Sequence, residues 1–109
     1  MDIWPDVKQL EGKTLHTLDQ NKAFDVVAVT EQTVLVQPYA SGKERRIKRD
    51  EIEPAYQELV ARGMIERTDI RDRYSNYNPA YVAAILAALP GIRHANKPIR
   101  LYYEGPISE

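Results

Sequence analysis

The sequence predicts an α+β domain, in which a four-stranded antiparallel β unit is followed by three helices and a C-terminal β-hairpin. Three observations support this. Residues 12–48 are rich in Val and Thr and are divided by short polar turns, residues 50–89 carry apolar positions at helical spacing, and residues 92–103 alternate around a central turn. Since the chain has 109 residues, 43% of them hydrophobic, we expect a single domain over residues 1–109.

The β unit follows a short N-terminal helix, which we expect to hold Trp4 against the domain. Four strands are predicted, at residues 13–18, 23–30, 33–38 and 43–49. The dipeptide Glu31-Gln32 makes a tight turn between the second and the third strand. Successive strands joined by such short turns are typical of a meander or of a small open barrel.

The helical unit spans residues 50–103 and begins at Asp50, which can cap a helix that Gly63 ends. Met64 and Ile65 are interpreted as an apolar bridge to a short second helix capped by Thr68. After a turn at residues 75–77, the third helix starts with Asn78 as cap and Pro79 in its first position. Residues 104–109 are predicted to form a frayed tail.

The third helix has an apolar body without any charged residue, so we expect it to be the central element of the core. It ends before Pro90-Gly91. Its predicted buried residues are Tyr81, Val82, Ile85, Leu86 and Leu89. Its alanine face is expected either to be covered by the β unit or to be left for a partner; this face consists of Ala80, Ala83, Ala84 and Ala87.

Several function classes are not expected from this composition. The chain has no cysteine, which removes disulfides, thiolate metal sites and a cysteine nucleophile and is compatible with a reducing cytoplasm. The beginning of the chain does not resemble a signal peptide, and no apolar run has the roughly 20 residues that a membrane-spanning helix needs. We therefore expect a cytoplasmic protein without membrane contact.

Catalysis is not expected either. His16 and His94 are the only histidines and lack metal-ligand spacing, while the carboxylates on the helices alternate with Arg and Lys, as on solvated faces. The glycines form no phosphate-binding loop, and no serine lies in a nucleophile motif. The sequence predicts a protein that is not an enzyme and has neither a metal nor another cofactor.

A basic segment occupies the fourth predicted strand. Residues 43–49 carry a net charge of +4 with Glu44 as the single acid, and the cations are Lys43, Arg45, Arg46, Lys48 and Arg49. Because alternate side chains point to opposite faces of a strand, cations lie on both faces, which predicts an edge strand with Ile47 as the inward residue. The charges could prevent edge-to-edge aggregation, contact phosphates, or pair with the acidic first helix.

A second basic region lies between Asp72 and Glu104, where there is no acidic residue. It combines five tyrosines with the cations Arg73, Arg93, Lys97 and Arg100 and with His94. Arg and Lys neutralise phosphates and Tyr can stack on bases, so this composition suits a polyanion. The alternative is that Tyr81 and Tyr103 belong to the core and that the cations are ordinary surface residues.

The order of elements over residues 50–103 resembles that of winged helix-turn-helix domains. This resemblance implies that the third helix enters a major groove with Tyr77, Asn78 and Tyr81 at its start. It also implies that the hairpin is a wing whose contacts are Arg93, His94, Lys97 and Arg100. Since the helix has no Arg, Lys, Asn or Gln after Asn78, we expect phosphate contact by the hairpin rather than base-specific reading.

The sequence thus favours non-catalytic binding of nucleic acid, with DNA preferred over RNA. The phosphate contacts are predicted at Lys43, Arg45, Arg46, Lys48, Arg73, Arg93, Lys97 and Arg100, and the stacking residues are Tyr77 and Tyr102. The alternative is a small protein-interaction module, such as an adaptor or an inhibitor of a nucleic-acid-handling enzyme. It would bind through the alanine face of residues 79–89, which could also form a homodimer, or through acidic faces at Asp2, Asp6, Glu51, Glu53 and Glu58.

Overall fold

Two antiparallel sheets and four helices make up the α+β fold that the sequence predicts. The computed structural model describes residues 2–105. The tail predicted for residues 104–109 therefore lies mostly outside the described residues, from residue 106 onward. In chain order the elements are α1 (Trp4–Lys8), β1 (Thr14–His16), β2 (Ala23–Val29), β3 (Thr33–Pro38), β4 (Arg45–Lys48), α2 (Arg49–Arg62), β5 (Met64–Glu66), α3 (Arg67–Arg73), α4 (Pro79–Ala87), β6 (Ile92–Ala95) and β7 (Arg100–Tyr103).

The first sheet is a meander with the strand order β1-β2-β3-β4 and does not close into a barrel. The predicted turn at Glu31-Gln32 is confirmed, since β2 and β3 pair on either side of it. β4 lies at an edge, as predicted, with Ile47 opposite Val34. β1 and β4 are shorter than predicted, since the residues of these strands in register with a neighbouring strand are Thr14–His16 and Arg45–Lys48.

The inner face of this sheet supplies one half of the core. Alternate side chains of β2, β3 and β4 point inward and are fully buried, namely Phe24, Val26, Val34, Val36 and Ile47. They belong to one apolar cluster with residues of all four helices and of the second sheet. The outer face of the sheet points away from this cluster, so its side chains lie at the surface.

The caps of two helices differ from the predictions. Helix α2 has Lys48 as its N-cap instead of Asp50, and the backbone N–H of Lys48 donates to Glu51 Oε2 at 2.8 Å. Helix α3 has Glu66 as its N-cap instead of Thr68, with Asp69 Oδ2 accepting from the Glu66 N–H at 3.0 Å. In both cases the preceding strand runs directly into the helix, and a carboxylate three residues on satisfies a free N–H group.

The second sheet contains a strand that the sequence did not predict. It has the order β5-β7-β6, and the predicted hairpin is formed by β6 and β7. Met64 and Ile65, interpreted as a bridge, belong to β5, which pairs with β7. Gly63 ends α2 as predicted, with a φ of 82°, and turns the chain into β5. A three-residue strand is too short to show alternation in the sequence.

Helix α4 is the central core element, as predicted, although it ends at Ala87. Val82, Ala83, Ala84, Ile85 and Leu86 are buried, and the helix contacts α2, α3, β1 and both strands of the hairpin. Tyr81, expected in the core, is half-buried and meets the Phe24 ring edge-on, with 5.1 Å between the ring centres. The alanine face is largely covered, since Ala84 is only 3% exposed.

The short N-terminal helix is confirmed, and it holds Trp4 against the first sheet. Trp4 is 1% exposed, and its indole N–H donates to the Thr30 carbonyl at 2.7 Å. The Arg49 guanidinium lies over the indole, 4.7 Å from the ring centre. Helix α1 thereby covers the end of the core beside the β2–β3 turn.

Candidate nucleic-acid interface

Two cations of the basic segment, Arg45 in β4 and Arg49 directly after it, contact residues within the fold. Arg45 Nη1 donates to the carbonyl oxygen of Tyr77 at 3.3 Å and to Asn78 Oδ1 at 3.2 Å. Its guanidinium also lies 5.6 Å from the centre of the Tyr81 ring. Arg45 therefore ties the start of β4 to the turn that precedes α4.

Arg49, next to the end of β4, is an ion-pair partner of acidic residues. It lies 3.0 Å from Glu53 and 3.2 Å from Asp2, and it donates to the Glu31 carbonyl at 2.9 Å. The hydrogen bond to Glu53, with the nearby carboxylates of Asp2 and Glu31, raises the pKa of Arg49 against the opposing effect of burial. Of the three interpretations of the basic segment, pairing with acidic residues thus describes Arg49.

The other cations of the segment point into solvent. Arg46 and Lys48 lie on the outer face, opposite Leu35 and Thr33 of β3, and Lys43 is exposed just before the strand. Within residues 2–105, none of the three forms an ion pair. Their charges are therefore not neutralised by an acidic side chain of the described residues.

The turn before α4 presents an exposed tyrosine on a fixed backbone. Tyr77 is 87% exposed, whereas its neighbour Ser75 is 2% exposed. Ser75 Oγ donates to Glu51 Oε1 at 2.5 Å and accepts from the Asn78 N–H at 3.2 Å. Asn78 Nδ2 donates to the same Glu51 oxygen at 3.2 Å. These partly buried hydrogen bonds hold the turn, so Tyr77 projects from a preorganised support.

The hydrogen bond from Arg45 to the Tyr77 carbonyl places this turn beside β4. We name the resulting region the β4 surface, which consists of Lys43, Arg45, Arg46, Lys48 and Tyr77. Arg45 meets the Tyr77 backbone on the helix side of β4, whereas Arg46 and Lys48 lie on its outer face, and none of the four cations has an acidic partner within residues 2–105. The sequence indicated its members but not the support from Ser75 and Glu51, because a turn serine gives no sign of being buried.

The second basic region does not form an open positive surface. Arg93 pairs with Glu104 at 2.7 Å and covers the Tyr102 ring at 4.6 Å from its centre. Arg100 pairs with Glu66 at 2.8 Å, and this hydrogen bond raises its pKa. Arg73 lies 2.9 Å from Asp69 and 2.8 Å from Glu58. The segment is free of acids in the sequence, but the fold supplies acids from outside it.

The tip of the hairpin lies beside the edge of the first sheet opposite β4. Asn96 Nδ2, at the tip of the hairpin, donates to the Leu18 carbonyl at 2.9 Å, next to the β1–β2 turn. β1 is the edge strand farthest from β4. Lys97, at the same tip, forms no ion pair within residues 2–105 but is separated from the β4 surface by the width of the sheet.

The residues at the start of α4 are mostly occupied by contacts within the fold. Asn78 uses its amide on Glu51 and Arg45, Tyr81 packs between Phe24 and Arg45, and the helix beyond them is buried. Of the three residues that the winged-helix resemblance assigns to groove reading, Tyr77 alone is accessible. The turn before α4 is therefore open at the surface, whereas the body of the helix is not.

The acidic faces considered for a protein partner are also largely engaged. Asp2 and Glu53 pair with Arg49, and Glu51 holds the Ser75 turn. Glu58 contacts Arg62, Arg73 and Tyr74. Burial raises the pKa of Glu58, but the hydrogen bonds from Tyr74 and Arg62 and the charge of Arg73 outweigh this and lower it. Asp6 remains exposed.

The histidines lie at the surface and not in a metal centre. His16 and His94 are both exposed and line one open cavity of about 400 Å³ beside the hairpin tip. Within residues 2–105, no three side chains of His, Asp or Glu are grouped so that they could hold a metal ion.

Comparisons with protein-family models, with curated proteins and with solved structures give no match to this chain. Among the helices within residues 2–105, none has the length and apolar character required to cross a membrane.

Proposed function

We propose that this protein binds nucleic acid without catalysing a reaction, and that it holds a single strand on the β4 surface. The observation that carries the proposal is Tyr77, which is 87% exposed on a turn fixed by partly buried hydrogen bonds, beside Arg45, which has no acidic partner within residues 2–105. A large exposed aromatic ring next to basic side chains is typical of proteins that stack bases while they neutralise the backbone.

The contributions expected from this surface are stacking and counterion release. Stacking of one base on Tyr77 is worth about 1–3 kcal/mol, and the fixed turn reduces the ordering that binding would otherwise require. Lys43, Arg46 and Lys48 each replace condensed counterions when they contact a phosphate. The element order shared with winged helix-turn-helix domains supports a nucleic-acid function, but the burial of α4 favours a single strand over the groove of a duplex.

The stacking contact is tested with matched tyrosine variants. Fluorescence anisotropy with a labelled deoxythymidine 15-mer at low salt should show Tyr77→Ala binding roughly 5- to 150-fold more weakly, which corresponds to the loss of one stacked base. Tyr102→Ala is the control, because Tyr102 lies in the second sheet and its ring is covered by the Arg93 guanidinium at 4.6 Å. Equal affinities for the two variants would contradict stacking at Tyr77.

The phosphate contacts are tested by salt dependence. With three contacts to a single strand, the slope of log affinity against log salt should be about −2, and Arg46→Gln or Lys48→Gln should each reduce it by about 0.7. Arg93→Gln is the hairpin control and should leave the slope unchanged, since Arg93 is paired with Glu104. Binding that does not depend on salt would overturn the proposal.

The preference for DNA over RNA and the cytoplasmic location remain part of this proposal. The first is tested by replacing the deoxythymidine oligomer with an oligouridine of equal length, and the second by fractionation of cells that produce the protein. A second candidate is binding of an acidic protein surface, because exposed tyrosines on rigid supports are typical of interface hot spots. Failure to bind either oligomer at low salt would favour that candidate.

A further inference from the structure

A cleft of about 350 Å³ opens between the hairpin tip and the start of α3. Arg67, Thr68, Asn96, Lys97, Pro98 and Ile99 contribute to its lining. The Arg67 N–H donates to the Ile99 carbonyl at 3.2 Å, and Asn96 is held by the Leu18 carbonyl, so both walls are fixed to the fold. A volume of this size lies at the lower end of the usual range for small-molecule pockets.

Among the described residues around the cleft, one cation is not paired with a carboxylate. Two carboxylates, those of Asp19 and Glu66, also line it, but Asp19 pairs with Arg67 at 2.6 Å and Glu66 pairs with Arg100 at 2.8 Å. Within residues 2–105, Lys97 has no acidic partner. The cleft therefore offers an ammonium group to a ligand, while both of its carboxylates are already neutralised.

The apolar part of the lining lies next to this ammonium group in the chain. Pro98 and Ile99 follow Lys97 directly, and Ile99 is largely buried. Lys97 itself has a φ of 64°, a left-handed conformation that glycine adopts far more readily than lysine. A lysine at a position whose backbone conformation suits glycine indicates a role for the lysine side chain.

From these features we propose a second binding site, in which the cleft takes a small organic anion. Its carboxylate or phosphate group contacts Lys97, with the unpaired nitrogens of Arg67 and the Thr68 hydroxyl as further donors, and its apolar body lies against Pro98 and Ile99. This site is separate from the β4 surface, so its test does not depend on nucleic-acid binding.

The test uses a charged probe and its neutral counterpart. Naphthalene-2-carboxylate and naphthalene-2-carboxamide share one ring system and differ in charge, and each is titrated into ¹⁵N-labelled full-length protein. We expect the carboxylate to shift the amide signals of Arg67, Thr68, Lys97 and Ile99 with a dissociation constant in the millimolar range or below, and the carboxamide to bind at least about fivefold more weakly.

Two variants separate loss of the charge from loss of the fold. Lys97→Met removes the ammonium group but keeps an apolar stem, and Lys97→Gly removes it while suiting the positive φ. Both should weaken binding of the carboxylate to the level of the carboxamide, whereas Lys8→Met, at the end of α1 and paired with Glu31, should bind like the parent protein. A separate titration with inorganic phosphate tells whether the anion alone is held or the apolar body is required.

Three results would overturn the proposal. The first is equal binding of carboxylate and carboxamide, and the second is unchanged carboxylate binding in both Lys97 variants. The third is a titration to roughly 10 mM carboxylate that gives no saturable shifts around the cleft. Shifts confined to the patch of Tyr56, Val60 and Tyr103 behind α2 count as the same result.

Discussion

A single buried hydroxyl group supports the most exposed of the large hydrophobic side chains within residues 2–105. Ser75 lies two residues before Tyr77, and its hydrogen bonds to Glu51 and Asn78 fix the turn between α3 and α4. The residue type predicted a turn but not this support, because burial of Ser75 depends on where α2 places Glu51. At the scale of single residues, the sequence therefore indicated Tyr77 as a contact residue but did not indicate Ser75 and Glu51, which position it.

This role predicts the effect of Ser75→Ala. The substitution leaves the Asn78 N–H without its partner and removes one of the two donors to Glu51 Oε1, which should lower the free energy of unfolding by about 1–3 kcal/mol. Urea denaturation measures it. Ser41→Ala, at an exposed turn, is the control and should change stability by no more than about 0.5 kcal/mol. If both variants were equally stable, the Ser75 hydrogen bonds would not contribute to the free energy of unfolding.

Asp69 predicts a dependence of stability on pH. The hydrogen bond from the Glu66 N–H is the main reason that its pKa is lowered; burial opposes this, and Arg73 adds to the lowering. A carboxyl with a pKa lowered by folding stabilises the protein above its unfolded pKa, which is about 3.9 for Asp, and loses this contribution as the pH falls through the folded pKa. The lowered pKa of Glu58 acts in the same direction.

Asp69→Asn should therefore reduce the free energy of unfolding by about 1 kcal/mol at pH 7, and the difference from the parent protein should shrink below about pH 4. Urea titrations at several pH values between 3 and 7 measure this difference. Asp72→Asn, at a more exposed carboxylate paired with Arg71, is the control and should have little effect at any pH. A difference that grows on acidification would contradict the assignment.

At the scale of elements, the predictions succeeded where a segment is long and its pattern is strong. The capped, charge-free segment at Asn78 predicted α4, and the Val-rich runs predicted β2 and β3. Short elements set by tertiary pairing were not predicted: β5 exists because β7 pairs with it, and the caps of α2 and α3 follow from the strands that lead into them. Three residues carry too little periodicity to identify such a strand.

The burial of α4 predicts contrasting effects of two lysine substitutions. Ala84→Lys places a charge where the side chain is buried and has no acidic partner, so it should lower the free energy of unfolding by at least about 3 kcal/mol. Ala88→Lys, exposed at the C-cap of the same helix, should change it by no more than about 0.5 kcal/mol. Thermal denaturation compares them, and a stable Ala84→Lys variant would mean that the alanine face is free for a partner.

At the scale of the whole molecule, the distribution of charge differs between sequence and structure. The segment from Arg73 to Arg100 has no acid of its own, yet Glu58, Glu66, Asp69 and Glu104 neutralise its arginines from other elements. Absence of acids along the chain is a local property, while a surface potential depends on all elements that meet there. We therefore restrict the proposed contact residues to the β4 surface. Lys97 lies at the opposite edge of the first sheet.

The shared core makes a prediction for unfolding. Trp4 lies beside the first sheet and Leu101 in the second, but both belong to one apolar cluster, so the two sheets should unfold together. Leu101→Ala should lower the free energy of unfolding by about 2–5 kcal/mol and shift the Trp4 fluorescence transition and the far-ultraviolet circular dichroism transition in urea to the same new midpoint. Val27→Ala, at an exposed position, is the control and should leave both midpoints nearly unchanged. A fluorescence transition that stays in place while the circular dichroism transition moves would show that the sheets unfold separately, because the deleted contacts would then act on the second sheet alone.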